Sequence, residues 1–148
     1  MKLISKNRRA PFDYHLSESF EAGIVLSGFE VKSVKLGRIN ITESYVRVKD
    51  EEAFLLNAHI APYSRGNKPG YDPRATRKLL LKRREIEYLA GKLNTGLVIV
   101  PLIVYLKRGL IKVEICLARP KKKYDKREKL KKEAQKRETE RILKERRG

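Results

Sequence analysis

Alternation of apolar and polar positions recurs through the first 118 residues and predicts short β-strands. Tyr45–Lys49 places its two valines on one side and its basic side chains on the other. Ala53–Ile60 continues the alternation, and Ala22–Leu26 is apolar apart from one glycine. The side chains predicted to share the inner face of the second segment are Phe54, Leu56, Ala58 and Ile60.

A β-hairpin is predicted near the end of this region. Leu97–Leu106 and Ile111–Leu117 are strand-like segments on either side of Lys107-Arg108-Gly109. In the second arm, alternate apolar residues predict a buried face, and Cys116 falls on the other, polar face. We expect Cys116 to be a buried or half-buried inert thiol, because no histidine lies near it in the sequence.

Helices are fewer and shorter. Gly28–Leu36 begins after a capping box of Ser27 and Glu30, and Arg83–Leu93 carries apolar residues at helical spacing. Asn40-Ile41-Thr42-Glu43 repeats the capping pattern and predicts one further helical turn. Short strands with few helices favour a mainly β fold whose antiparallel sheet closes or nearly closes. Barrels of this size include the oligonucleotide-binding type.

Charge divides the chain into two parts. The formal net charge is +18, and residues 119–148 hold 15 basic and 6 acidic residues, a net of +9. We therefore predict one domain over residues 1–118 and a basic tail over 119–148. The tail has too few apolar residues to form a core, yet acid–base pairs four residues apart favour helix. It is expected to be disordered when free and helical when docked on an anionic surface.

So large a positive charge favours a polyanionic partner, with nucleic acid first and an anionic membrane surface second. No apolar run of 18 residues and no signal peptide is present, so we expect a cytoplasmic protein that does not span a membrane. One cysteine and two histidines supply too few ligands for a structural zinc site. Asp13, Glu18 and Glu21 could form the acidic metal-binding cluster of a nuclease, but no histidine supports them and their spacing matches no recognised motif. The chain is predicted to be no enzyme and to need neither cofactor nor metal.

Two basic segments are candidate RNA contacts. One runs from Arg74 to Arg84 without an acidic residue and opposes the dipole of the helix that follows, which suggests that its charges serve a ligand phosphate. Its six basic residues are Arg74, Arg77, Lys78, Lys82, Arg83 and Arg84. The other is Asn7-Arg8-Arg9, which is followed by Phe12, Tyr14 and His15; cations beside aromatic rings suit unstacked RNA bases.

Several residue strings, in order from about Asn7 to Arg147, resemble the small protein B family, the SsrA-binding proteins that partner transfer-messenger RNA in bacteria. The strings are Phe20-Glu21-Ala22-Gly23, Glu30-Val31-Lys32-Ser33, Ser44-Tyr45-Val46-Arg47, Asn57-Ala58-His59-Ile60-Ala61-Pro62-Tyr63, Asp72-Pro73-Arg74, Arg77-Lys78-Leu79-Leu80-Leu81 and Tyr124-Asp125-Lys126-Arg127.

The resemblance implies an oligonucleotide-binding barrel with about three short flanking helices and a basic C-terminal tail. It implies a non-enzymatic adaptor that binds the tRNA-like domain of transfer-messenger RNA and enters stalled ribosomes for trans-translation. The tail would lie in the small-subunit decoding centre and the empty mRNA channel. The elongation factor that delivers aminoacyl-tRNA would join the complex. The alternative is a ribosomal or ribosome-assembly RNA-binding protein with a similar barrel.

Site residues follow from the resemblance one position at a time. Its RNA-facing asparagine corresponds to Asn7, beside Arg8 and Arg9, and its acidic RNA-binding position is Glu21. A carboxylate on an RNA surface can accept from base amino groups or 2′-hydroxyls, or hold a neighbouring cation in place. An intramolecular partner to a barrel cation is the other role open to Glu21. Lys32 and His59 are further expected contacts.

In the tail, the string required for tagging corresponds to Asp125-Lys126-Arg127. It is preceded by Tyr124, which could stack on a ribosomal base, and by the cations Lys121 and Lys122. Two positions depart from the family pattern. Pro11 and Phe12 stand where Arg and His are usual, and Pro120 stands where Gly is usual.

Overall fold

The computed structural model describes residues 1–63 and 69–122, so the predicted tail residues Tyr124, Asp125, Lys126 and Arg127 lie outside the described residues. Within these ranges the chain forms nine strands and three helices. In chain order they are β1 (Lys2–Lys6), α1 (Ala10–Asp13), β2 (Tyr14–Ile24), α2 (Gly28–Lys35), β3 (Ile39–Asn40), β4 (Tyr45–Lys49), β5 (Glu52–Leu56), β6 (His59–Ile60), β7 (Arg77–Leu80), α3 (Arg83–Leu93), β8 (Val98–Lys107) and β9 (Leu110–Pro120).

The fold is mainly β, as predicted, and every strand pairing within the described ranges is antiparallel. Seven strands follow the order β1-β8-β4-β5-β7-β2-β9, and β3 pairs separately with β6. Strand β8 also pairs with β9. Six strands are thereby joined in a hydrogen-bonded circuit, β8-β4-β5-β7-β2-β9 and back to β8.

The predicted hairpin is confirmed as β8–β9. Lys107 pairs with Leu110, and the two residues between them, Arg108 and Gly109, have φ values of 52° and 77°. Two positive φ angles in a two-residue connection match the twist of the flanking strands. The second arm continues to Pro120, two residues beyond the predicted domain boundary.

The core lies between the strands and the two longer helices. Val113, Ile115 and Leu117 of β9 are buried, as their alternation predicts, and Leu89 is the buried residue of α3. A smaller apolar cluster forms on the opposite face of the β8–β9 hairpin from Ala10, Val100 and Ala118. This second layer accounts for the burial of Cys116, whose own strand face the sequence marks as polar.

Two predicted elements differ from the structure. Asn57 has φ 65°, a left-handed conformation. It follows the last residue of β5 and changes the direction of the backbone before β6. Consequently Ala53 and Leu55 point inward on the first part, where Phe54 and Leu56 were predicted, while Ala58 and Ile60 are buried as expected. The helical turn predicted at 40–43 is wrong, because Asn40 pairs with His59 and a simple turn follows.

No helix in residues 1–63 or 69–122 combines the length and apolar character needed to cross a bilayer.

Candidate nucleic-acid interface

Glu21 lies at the centre of a small polar network on the outer surface of the sheet. Tyr105 donates its hydroxyl to Oε2 of Glu21, and Nζ of Lys107 is 3.2 Å from the same oxygen. The Tyr105 hydrogen bond and then Lys107 lower the pKa of Glu21, so this carboxylate is ionised near neutral pH. Burial, followed by the hydrogen bond to Glu21, raises the pKa of Tyr105, which therefore stays neutral.

An apolar groove of about 260 Å³ lies on the neighbouring surface. Gly23 forms part of its lining, and Leu80 and Leu110 line it with 54% and 60% of their surface exposed. A Cβ at Gly23 would lie 3.3 Å from Cβ of Leu80, so a small residue keeps this close approach. Exposed apolar side chains beside charged ones form a surface on which a nucleobase can pack. Leu80 was not among the predicted contacts, because it lies in the apolar run Leu79-Leu80-Leu81, in which the sequence does not mark the side chain that points outward.

Asn7 organises the N-terminal segment from the inside and does not face solvent. It is 3% exposed, and its Nδ2 donates to the carbonyls of Pro101 (3.0 Å) and Ile41 (3.4 Å). Its Oδ1 accepts from the backbone N–H of Ala10 at 3.1 Å, at the start of α1. We therefore correct the sequence assignment of Asn7 as a direct RNA contact, because each of these bonds is internal to the protein.

The two arginines that follow Asn7 are exposed. Nε of Arg9 is 3.4 Å from Oδ2 of Asp13, and Arg8 has no side-chain partner among the described residues. Lys121 reaches the same segment, because its backbone N–H donates to the carbonyl of Asp13 and its Nζ to that of Pro11. The fold therefore brings the predicted N-terminal cations and the start of the predicted tail to one place. Lys122 is exposed beside them.

Arg77 is also internal. It is 3% exposed, and its Nη2 lies 2.6 Å from Oε2 of Glu30 while its Nη1 donates to the carbonyl of Ala58 at 2.6 Å. Tyr71 joins the same network by donating to Glu30. We correct the predicted phosphate contact at Arg77, since a buried guanidinium whose donors are taken by protein acceptors holds the fold together.

The electrostatics of Glu30 reflect two opposing effects. Burial acts to raise its pKa, but hydrogen bonds from the Ser27 backbone and from Arg77 outweigh burial and leave the pKa lowered. Glu30 is also the N3 residue of the capping box of α2, since its Oε1 accepts from the Ser27 N–H at 3.1 Å. One carboxylate therefore caps the helix and anchors it to β7.

Around this network lie three predicted contacts on adjacent elements. Lys32 is exposed on α2, with Nζ 5.5 Å from the ring centroid of Tyr63. His59 is half-buried on β6, directly opposite Asn40 of β3. Arg74 is exposed, and its Nη1 donates to the carbonyl and to Oδ1 of Asn57, at 3.1 and 3.0 Å.

The remaining predicted cations lie near the start of α3. Lys78 is 3.1 Å from Glu52, and Arg83 is 3.4 Å from an acid on each side; Arg84 has no side-chain partner among the described residues. Pairs this exposed contribute only about 0–1 kcal/mol, so phosphate oxygens can replace the carboxylates.

Asp13, Glu18 and Glu21 do not come together as a metal-binding cluster. The part of the chain that the structure describes holds no group of three His, Cys, Asp or Glu residues placed to bind a metal. Glu18 instead accepts from the hydroxyl of Tyr88 at 2.5 Å, and Glu21 accepts from Tyr105. Cys116 is buried, and burial raises the pKa of its thiol.

Comparison with known proteins extends over nearly the whole sequence. Residues 4–145 match the family model described as SmpB protein. The SsrA-binding protein of Acaryochloris marina is 52% identical over 145 residues, which are 97% of this chain and 94% of that protein. The SsrA-binding protein of Listeria welshimeri is 51% identical over 146 residues, which are 98% and 95% of the two chains. A chain from the solved structure "tmRNA-SmpB: a journey to the center of the bacterial ribosome" is 47% identical, with a TM-score of 0.67, over 80% of this chain and 85% of its own.

The fold and its surface define a small, strongly cationic, mainly β protein whose exposed charges surround a polar and apolar patch. The match over residues 4–145 then identifies the family within this class. The chain belongs to the SmpB family, and the resemblance seen in its residue strings is confirmed.

Proposed function

We propose that this protein is an RNA-binding adaptor that binds the tRNA-like domain of transfer-messenger RNA and delivers it to stalled ribosomes for trans-translation. The observation that carries the proposal is similarity along residues 4–145 to proteins named for SsrA binding, at about half identity. A partial or local match would support only a shared fold. The solved relative, described with tmRNA and the bacterial ribosome, supports the same partners.

Phosphate contacts supply most of the affinity in this proposal. The exposed cations Arg8, Arg9, Lys32, Arg74, Lys78, Arg83 and Arg84 would contact the RNA, most of them at its phosphates, with His59 beside them. Such contacts position a folded RNA and make its binding depend steeply on salt. Asn7 and Arg77 act behind this surface by fixing the segments that carry the cations.

Glu21 contributes recognition of a different kind. Its carboxylate is ionised, exposed and held by Tyr105 and Lys107, so its free lone pairs can accept from base amino groups or 2′-hydroxyls. The groove beside Leu80 offers an unstacked base an apolar surface. Charge and shape at this patch would together distinguish one structured RNA from others.

The scaffold in this proposal is a barrel of the oligonucleotide-binding type. The hydrogen-bonded circuit of six strands and the short helices beside it support that assignment. Residues 1–118 would form the RNA-binding domain, and the basic tail from residue 119 would enter the decoding centre and the empty mRNA channel. Lys121, Lys122 and the string from Tyr124 to Arg127 are the proposed contacts there, and a channel filled with messenger would exclude them.

The remaining parts of the proposal concern partners and chemistry. The elongation factor that delivers aminoacyl-tRNA would join the complex in the cytoplasm. The protein would act without catalysis, cofactor or metal, because positioning of RNA is the whole of its task.

A reconstituted tagging assay tests the proposal. Stalled ribosomes, transfer-messenger RNA and its delivery factor are combined with the full chain or with a chain ending at Lys122, which keeps the Lys121 contacts to α1. We expect tagged product with the full chain and almost none with the shortened chain, although both bind the RNA in a gel shift. Absence of tagging with the full chain would overturn the proposal, and equal tagging by both chains would overturn the role of the tail.

A further inference from the structure

A small polar cavity lies where β3, the turn after it and the end of β5 meet. Its volume is about 250 Å³, below the ~300–1,000 Å³ of pockets that enclose drug-sized ligands. Every residue lining it is polar: Asn40, Thr42, Glu43, Asn57 and Arg74. The size and polarity suit one planar, hydrogen-bonding group.

The cavity wall is held in place before any ligand binds. Asn57 Nδ2 donates to the carbonyl of Glu43 at 3.1 Å, which joins two sides of the cavity. Oδ1 of Asn40 accepts from the N–H of Thr42 at 2.9 Å and fixes the intervening turn. Arg74 is held by two bonds from its Nη1 to Asn57, whose φ of 65° turns its carbonyl and side chain toward the same guanidinium.

Two opposite charges line this cavity without neutralising each other. Arg74 binds the neutral Asn57, and within residues 1–63 and 69–122 no ion pair joins the carboxylate of Glu43 to a cation. Nε and Nη2 of Arg74 likewise donate to no protein acceptor among the described residues. A carboxylate and a guanidinium edge are therefore both available to one ligand.

We propose that this cavity binds a single unpaired guanine of the RNA, with Glu43 and Arg74 reading its edges. The two carboxylate oxygens can accept from N1–H and N2–H₂ of guanine, while the guanidinium donates to O6 or N7. Adenine offers an acceptor at N1, which would face the carboxylate and be repelled. Cytosine presents one donor group, its amino group, where guanine presents two, N1–H and N2–H₂. The inference rests on the proposed RNA binding and adds a base preference to it.

Position supports an RNA ligand over a free small molecule. Arg74 and the cavity adjoin His59, which lies opposite Asn40 in the β3–β6 pair. A nucleotide in the cavity would enter from a chain whose phosphates can reach these exposed groups.

The test is an NMR titration of the ¹⁵N-labelled full chain with GMP, AMP, CMP, UMP and inorganic phosphate. GMP is expected to shift the side-chain amides of Asn40 and Asn57 and the Nε–H of Arg74, and to bind about tenfold more tightly than AMP. Glu43→Gln should reduce this preference to about twofold or less and keep the fold, since Glu43 is exposed. Glu52→Gln is the matched control, because Glu52 is an exposed glutamate outside the cavity, and it should keep the preference.

Equal shifts with all four nucleotides and with phosphate would show a general anion surface and overturn the inference. A GMP effect confined to other residues, or a preference unchanged by Glu43→Gln, would do the same. A gel shift with the tRNA-like domain of transfer-messenger RNA is measured in parallel. Binding of that RNA without the GMP response removes the guanine pocket alone, whereas a GMP response without binding of the RNA removes the proposed function.

Discussion

Arg77 and Glu30 form a buried ion pair, with Nη2 of the arginine 2.6 Å from Oε2 of the glutamate, and this pair ties α2 to β7. Their side chains are 3% and 11% exposed. The pair lies between elements that carry the proposed RNA contacts Lys32 and Lys78. Its first role is therefore to fix the relative placement of two parts of the interface.

Removing one partner should destabilise the protein strongly. Arg77→Ala leaves the Glu30 carboxylate without its cation and the Ala58 carbonyl without a donor, so we expect a loss of about 3–5 kcal/mol in the free energy of unfolding. Urea denaturation at neutral pH measures it. The double variant Glu30→Leu/Arg77→Met, which buries no unpaired charge, should be more stable than Arg77→Ala. A loss below 1 kcal/mol for Arg77→Ala would contradict the buried pair.

The same carboxylate makes stability depend on pH. The pKa of Glu30 is lowered from its ordinary value of 4.5, so its contribution is complete above that value and is lost as pH falls through the folded-state pKa. We expect the contribution of Glu30 to the free energy of unfolding to be lost mainly below pH 4.5. Glu30→Gln should show a shallower fall, because one linked proton is removed. Parallel pH profiles for the two proteins would rule out this linkage.

Glu21 should act on RNA binding more than on stability. Its partners Tyr105 and Lys107 hold an exposed carboxylate, and exposed pairs stabilise a fold by only about 0–1 kcal/mol. Glu21→Gln is expected to weaken binding of the tRNA-like domain about tenfold, with little change in the melting temperature. Glu52→Gln, which also neutralises an exposed glutamate paired with a lysine, serves as the control; it leaves Lys78 free and should not weaken binding. A melting temperature that falls with the affinity would assign Glu21 a structural role.

The turn between β4 and β5 is conformationally strained. Asp50 and Glu51 have φ values of 52° and 63°, and a left-handed conformation costs a residue with a side chain roughly 1–2 kcal/mol. Glu51→Gly should relieve this cost, offset in part by the greater freedom of the unfolded chain, and raise the free energy of unfolding by about 0.5–1 kcal/mol. Glu52→Gly, in the strand that follows, should lower it. Destabilisation by both changes would show that the turn is not strained.

Periodicity predicted β4 and the β8–β9 hairpin, and capping and spacing signals predicted α2 and α3. The alternation of Val113, Ile115 and Leu117 gave the inner face of β9, and the capping box of Ser27 gave the start of α2. The left-handed Asn57 defeated the same reasoning, because one residue in that conformation moves the next side chains to the other face without changing the apolar pattern. Cys116 is buried, as expected, although the alternation places it on the polar face of β9; Ala10 of α1 packs with Val100 and Ala118 on that face.

The site residues were predicted from their residue types, and two of them, Asn7 and Arg77, were reassigned because the structure shows that they are buried. A basic residue in a charged segment looks like a phosphate ligand until its partner is known, and Arg77 differs from Arg74 only through contacts made by distant Glu30 and Asn57. Leu80 was missed because an exposed apolar residue in a strand resembles a core residue in the sequence. Tertiary contacts between segments far apart in the chain decide these cases, and no local pattern encodes them.

The most direct test of the central claim is a competition gel shift with the purified full chain. The labelled tRNA-like domain of transfer-messenger RNA competes with unlabelled copies of itself or with elongator tRNA, over a range of salt concentrations. Self-competition should be at least tenfold more effective than elongator tRNA. If about six phosphates are contacted, affinity should fall with salt at a log–log slope of about −4 to −5. Equal competition by the two RNAs, or an affinity indifferent to salt, would contradict the account.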